Sequence, residues 1–135
     1  MTDTTILDGV TFTADMKTLV CYPREKTDTL YRVPDGVEEI GEEAFLNYDL
    51  RTLVLPSGLK ETAQYAFFCP VLETLYIPAS LERVCLKAFA NCGSLKNIYF
   101  EGMREKWNGI FIADCNSTFE KAEKSFGRIY ERKGL

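Results

Sequence analysis

The sequence contains no histidine, so the commonest general base and the commonest metal ligand are both missing. None of its five cysteines stands in a Cys-x-x-Cys pair, and without histidine no mixed zinc site can be completed. Basic residues are in deficit, 16 against 20 acidic, and they are scattered. A net charge of −4 is the wrong field for a phosphate backbone, so nucleic acid is not an expected partner. No apolar run approaches the ~20 residues of a membrane-spanning helix, and no membrane insertion is expected. The start, Met1-Thr2-Asp3-Thr4-Thr5, lacks the basic residues and the apolar core of about 7–15 residues that mark a secretory signal. As written, the chain reads as cytoplasmic or as a piece of a longer exported protein. It also lacks a nucleophile motif and a phosphate loop, so neither an enzyme nor a cofactor is expected.

What is present is an apolar chain of 135 residues, 46% hydrophobic, too rich in core residues for disorder and sized for a single domain. It repeats itself. Leu30 to Phe45 reads LYRVPDGVEEIGEEAF, Thr52 to Phe67 reads TLVLPSGLKETAQYAF, and Thr74 to Phe89 reads TLYIPASLERVCLKAF. Pro34, Pro56 and Pro78 are 22 residues apart, and Phe45, Phe67 and Phe89 keep the same step. One residue is then inserted, and Ile98 and Phe100 continue in the places of Leu75 and Ile77.

A period near 22 lies within the range of about 20–29 residues of leucine-rich repeats. Leu50-x-x-Leu53-x-Leu55 and its two successors end in period-2 alternation, the pattern of a strand with one buried face. Proline closes each strand because it has no N–H for the ladder. A small residue (Gly41, Ala63, Cys85) suits close packing at a corner, and the Ala-Phe segments read as single helical or 3₁₀ turns. The expected fold is a leucine-rich-repeat solenoid, β-rich with short helical turns, its parallel strands on one face. Phe45, Phe67 and Phe89 should stack inside it, on turns about 4.8 Å apart.

An open-ended stack needs caps. Val10 and Phe12, then Leu19 and Cys21, alternate around a turn at Ala14 to Lys17, which places an N-terminal hairpin cap over residues 6–22. The repeats occupy 28–100 and a C-terminal cap 101–135, all in one domain spanning 1–135. In that cap Arg104 to Trp107 suggests a short helical turn laying the tryptophan over the last turn of the coil, with Ile110 and Ile112 alternating after it. Ser117 to Glu120 has capping-box spacing and Glu120 with Lys124 an i,i+4 pair, so a brief helix is expected, ended by Gly127. Ile129 and Tyr130 would follow in an extended piece.

Taken together these residues resemble the BspA-like leucine-rich repeats. Val33-Pro34 with Val37-x-x-Ile40-Gly41-x-x-Ala44-Phe45 matches that unit most fully, and Ala88-Phe89-x-Asn91-Cys92-x-x-Leu95 matches its end. Gly9-Val10 to Tyr22-Pro23, Thr27-Asp28-Thr29, and Trp107-Asn108-x-Ile110 look like the family's flanks, so the likeness covers roughly Gly9 to Ile112. Thr62-Ala63 and Val84-Cys85 depart from the Ile-Gly of the pattern, and Glu101 replaces a fourth proline. The resemblance implies a non-enzymatic protein, often exported or surface-attached in this family, where several members are associated with adhesion. It supplies no catalytic residues.

Repeat arrays usually bind through the strand-lined face. Alternation puts Arg32, Val54, Tyr76 and Tyr99 in one outward column and Leu30, Thr52, Thr74 and Asn97 in its neighbour. Two tyrosines beside an arginine have the composition of a binding hot spot, and cross-strand aromatic pairs also simply stabilise a sheet; both readings stand. The expected partner is another protein; the alternatives are a carbohydrate or cell-wall glycan held by exposed Tyr76 and Tyr99, or a structural unit that is a fragment of a longer repeat protein or self-associates. A monomer or weak homodimer is expected. The cysteines, odd in number, read as small buried apolar groups. Cys69 and Cys92 each precede a closing leucine by three residues and should sit on neighbouring turns, near the spacing a disulfide needs, or as a ladder of reduced thiols. Glu38-Glu39 and Glu42-Glu43 form no calcium loop and read as a solvated acidic rim, with no metal site.

Overall fold

A computed structural model describes residues 3–127 of the chain. It opens with an antiparallel meander of β1 (Thr4–Leu7), β2 (Val10–Thr13) and β3 (Thr18–Cys21). The hairpin expected over 6–22 is the β2–β3 half; β1 is an added strand, all four of its residues exposed, so no buried alternation announced it. Asp15 accepts from the Lys17 N–H and the Thr13 hydroxyl at the β2–β3 turn, and these bonds hold its carboxyl below the ordinary value. A bulge pairs Thr11 with Cys21 but Phe12 with Leu19. Leu19 therefore faces inward, Cys21 is left exposed, and Tyr22 is buried in its stead.

The coil follows. Its first turn carries β4 (Leu30–Arg32), β5 (Glu39–Ile40) and β6 (Phe45–Leu46). The second carries β7 (Thr52–Val54), β8 (Glu61–Thr62) and β9 (Phe67–Phe68), and the third β10 (Thr74–Ile77) and β11 (Arg83–Val84). After them come β12 (Asn97–Phe100), α1 (Arg104–Asn108), β13 (Phe111–Ile112), α2 (Ser117–Lys121) and β14 (Glu123–Phe126). Like strands pair in parallel. β4-β7-β10-β12-β14 line one side, β3-β5-β8-β11-β13 continue the meander into a seven-stranded sheet, and β6 pairs with β9 at the remaining corner.

The Ala-Phe segments are not helical. Ala44, Ala66 and Ala88 donate back to the carbonyls of Gly41, Ala63 and Cys85, and the residues before them, Glu43, Tyr65 and Lys87, lie at φ 54°, 57° and 57°. A residue in the left-handed region stops helix propagation, so each corner is a β-turn, and the first two lead into β6 and β9. After Phe89 the inserted residue bends the chain through further turns, and the β6–β9 ladder gains no third strand. Gly41 permits the close approach expected of it: a Cβ there would meet the Leu19 carbonyl oxygen at 3.2 Å.

Inside the coil like residues stand over like. Phe45 stacks on Phe67 at 5.1 Å between ring centroids and Phe67 on Phe89 at 4.5 Å, the single column the repeat predicts. Tyr22 extends it at one end (4.9 Å from Phe45) and Phe119 at the other (4.6 Å from Phe89). A second column runs Leu19, Ile40, Thr62, Val84 and Ile112. Thr62 is fully buried in it, and its hydroxyl has no hydrogen-bond partner among the described residues. An unsatisfied buried hydroxyl costs roughly 1–3 kcal/mol. Thr62→Val, close in shape, is therefore expected to raise stability by about 1–2 kcal/mol, read as a higher urea midpoint with the slope unchanged. A lowered midpoint would mean that the hydroxyl is paired.

The segment expected only to cap the array carries it one turn further. α1 lays Trp107 over Phe100 and Phe119 as anticipated. Ile110 is buried, β13 joins β11, and β14 joins β12 in register, with Lys124 following Ile98 in an inward column. Ser117 and Glu120 form no capping box. The residue before α2 is Asn116, whose side chain is engaged elsewhere: it accepts from the Phe89 N–H and donates to the Cys85 and Ala113 carbonyls. α2 ends at Lys121, so Lys124 meets the Glu120 backbone carbonyl, not its carboxylate, and stands over the Trp107 ring. Partial burial pulls the Lys124 ammonium below its ordinary value. Gly127, at φ 106°, closes β14 by donating to the Phe100 and Gly102 carbonyls. Ile129 and Tyr130 lie outside the described residues.

Candidate functional site

The strand-lined face gathers all eight residues singled out for binding. Arg32, Val54, Tyr76 and Tyr99 stand in one register column, followed by Ser125; Leu30, Thr52, Thr74 and Asn97 stand in the next, followed by Glu123. They are not equally presented. Arg32 and Leu30 are exposed, Thr52, Thr74, Asn97 and Tyr99 half-buried, but Val54 and Tyr76 are only 4% and 5% exposed. This corrects the expectation of an open tyrosine pair. Tyr76 is flanked by Val54 on one strand and Tyr99 on the other, and the two tyrosine rings stack at 4.9 Å and 24°. Burial first, and then Tyr99, push the Tyr76 phenol up. A crevice of about 90 Å³ beside Arg32, Val54 and Glu101 is well short of the roughly 300 Å³ at which ligand pockets begin.

The acidic rim is held in part by the chain itself. Lys17 pairs with Glu38 at 3.2 Å, the Gln64 amide donates to Glu42, and Arg83 makes two bonds to Glu61 at 2.9 and 2.6 Å. Glu39, beside Glu61 on the neighbouring strand, is pushed up mainly by burial. No cluster of three ligating side chains forms among the described residues, and no described helix is long and apolar enough to cross a membrane.

Cys69 and Cys92 meet, as their spacing predicts, in a column begun by Asn47. Both are fully buried free thiols. The Cys92 S–H points at the Phe67 carbonyl, 3.8 Å away. The neighbouring Cys92 sulfur and burial hold Cys69 well above the ordinary thiol range.

The turn side carries a surface that alternation did not pick out. Tyr48, Tyr65 and Phe68 are 54%, 42% and 39% exposed, the last two lining a groove of about 430 Å³ with Glu43, Phe45, Leu46 and Asn91. Tyr48 meets Phe68 edge-on at 6.1 Å. One signal was there to be read: Phe68 directly follows the buried Phe67, so in a two-residue strand it must face out. Tyr65 takes the place that Glu43 and Lys87 hold on adjacent turns, an aromatic where a charge is the rule.

The BspA type leucine rich repeat region matches residues 26–132 of the chain, in six copies. Among solved structures the chain is similar to a leucine rich cell surface protein of Faecalibacterium prausnitzii, at 22% identity and TM-score 0.41, over 80% of this chain and 42% of that one. It is also similar to the pneumococcal vaccine antigen PcpA, at 16% identity and TM-score 0.44, over 92% of this chain and 47% of that one. The chain thus spans less than half the length of either. No curated protein matches. On the strength of the repeat match, which covers most of its length, the chain belongs to the BspA-type leucine-rich repeat family.

Proposed function

We propose that the chain is a non-catalytic module that binds another protein on its strand-lined face. The observation that carries this reading is the unbroken register of β4, β7, β10, β12 and β14, which spreads half-exposed polar side chains over one continuous sheet. Thr52, Thr74 and Asn97 form the middle of that surface, with Arg32 and Leu30 at one end. The Tyr76–Tyr99 stack serves as its support, since little of Tyr76 reaches the surface; the same burial counts against a glycan gripped between those two rings.

Binding measured against panels of purified proteins and glycans tests the proposal. Thr74→Arg, mid-sheet, should abolish capture of the protein ligand while the circular dichroism spectrum is kept. Phe111→Ala, on the seven-stranded sheet, should leave capture unchanged. Capture that survives Thr74→Arg and is lost in Phe111→Ala would place the interface elsewhere. A self-associating unit is the second reading, favoured by β1, an edge strand whose Ile6 and Leu7 are exposed. Light scattering at the mass of a dimer would support it.

A further inference from the structure

We propose that the turn-side groove is a second docking site, and that its occupant is an arginine side chain of a partner polypeptide. The groove has the volume of a ligand site and spans three turns of the coil, from Glu43 and Leu46 through Tyr65 and Phe68 to Asn91. Its lining includes Tyr65 and Phe68, aromatic rings that the fold leaves 42% and 39% exposed.

Charge decides the kind of occupant. Among the described residues, Glu43 is the only charged one lining the groove. Its carboxylate is exposed and has no ion pair or hydrogen bond among the described residues, whereas Glu38, Glu61 and Glu73 are each matched with a lysine or arginine. An anion beside aromatic faces attracts a cation, and Tyr65 already draws one from within the chain: the Lys87 ammonium lies 5.6 Å from its ring centroid. Of the two basic side chains, arginine suits this lining better. Its flat guanidinium stacks on a ring while its N–H fork pairs with a carboxylate, and the Asn91 carbonyl can take a further N–H. A lysine ammonium is compact and strongly hydrated and gains less from the rings.

The left-handed backbone at Glu43 and Tyr65 sets both side chains on the outer rim of adjacent corners, one turn apart. Lys87 occupies the same place on the next turn, and with its ammonium beside the Tyr65 ring it is a like charge close to an incoming guanidinium. It should weaken binding, so its removal has a definite sign.

The test is amide NMR titration of the whole chain with acetyl-Gly-Arg-Gly-amide and with the same peptide carrying citrulline, which keeps the shape and loses the charge. The arginine peptide should shift the amides of Glu43, Tyr65 and Phe68 and bind about tenfold more tightly than the citrulline peptide. Glu43→Gln and Phe68→Ala should each weaken it about tenfold, and Lys87→Gln should tighten it two- to threefold or so. Thr74→Arg, on the strand-lined face, should leave these shifts unchanged, so the outcome here is independent of the outcome there. Equal affinity for both peptides, or shifts confined to other residues, would overturn the proposal. So would a neutral oligosaccharide such as cellotetraose shifting these amides when the arginine peptide does not; the groove would then be a glycan site.

Discussion

Phe67→Ala is expected to lower the unfolding free energy by about 3–5 kcal/mol. The ring is essentially inaccessible and lies between Phe45 and Phe89, at 5.1 and 4.5 Å. Its loss removes the transfer free energy of a phenylalanine and leaves a cavity that two stacked neighbours cannot fill, because the β-ladders above and below hold the turns at fixed spacing. In a stacked array each turn contacts only its neighbours, so a void in the middle turn also weakens the coupling between the two halves. Guanidinium denaturation followed by circular dichroism should show a lower midpoint and a broadened transition. Phe68→Ala, one residue on and facing out, is the control and should cost far less. A near-wild-type midpoint for Phe67→Ala would contradict the interior column.

Asn47→Ala should be almost as damaging, at roughly 3 kcal/mol, although it removes no large apolar group. Asn47 is fully buried at the head of the column that continues as Cys69 and Cys92. Its Nδ2 donates to the carbonyls of Pro23 and Lys26, at 3.1 and 2.9 Å, and its Oδ1 accepts from the N–H groups of Asp49 and Leu50, both at 2.9 Å. One side chain thus ties the loop after the meander to the corner of the first turn. Without it, two N–H groups and two carbonyls lose a partner, the Leu50 N–H in a fully buried place and the other three in partly buried ones. Asn47→Cys makes this position like the next two turns and should lose nearly as much, since a thiol cannot serve both loops. Midpoints from urea denaturation decide it: a stability close to wild type in either variant would show that those backbone groups find other partners.

Much of this molecule was legible in one dimension. The 22-residue step of Pro34, Pro56 and Pro78 located the strands, and the same step in Phe45, Phe67 and Phe89 located the column, because a coil that buries one face must return the same side chain to the same place on each turn. Trp107 over the last strand followed from composition and position. Other features were hidden for identifiable reasons. β1 has no buried face, so it left no pattern. Ser117 and Glu120 had the spacing of a cap, but spacing does not reveal that Asn116 spends its amide on Phe89 and Cys85. The left-handed corners at Glu43, Tyr65 and Lys87 carry no glycine to betray them.

The candidate surfaces divide in the same way. Which residues share a column on the strand-lined face follows from the repeat, since register is a matter of counting. How much of each side chain reaches solvent does not. Tyr76 is covered because its neighbours on two other strands are Val54 and Tyr99, and Tyr65 and Phe68 stay open because a left-handed corner and a two-residue strand turn them outward. Periodicity alone determined the parallel coil and the identity of its interior columns, because burial repeats with the chain's own step. Exposure, the pairing of charges and the groove were decided only by the assembled structure, because each depends on what distant segments place beside a residue.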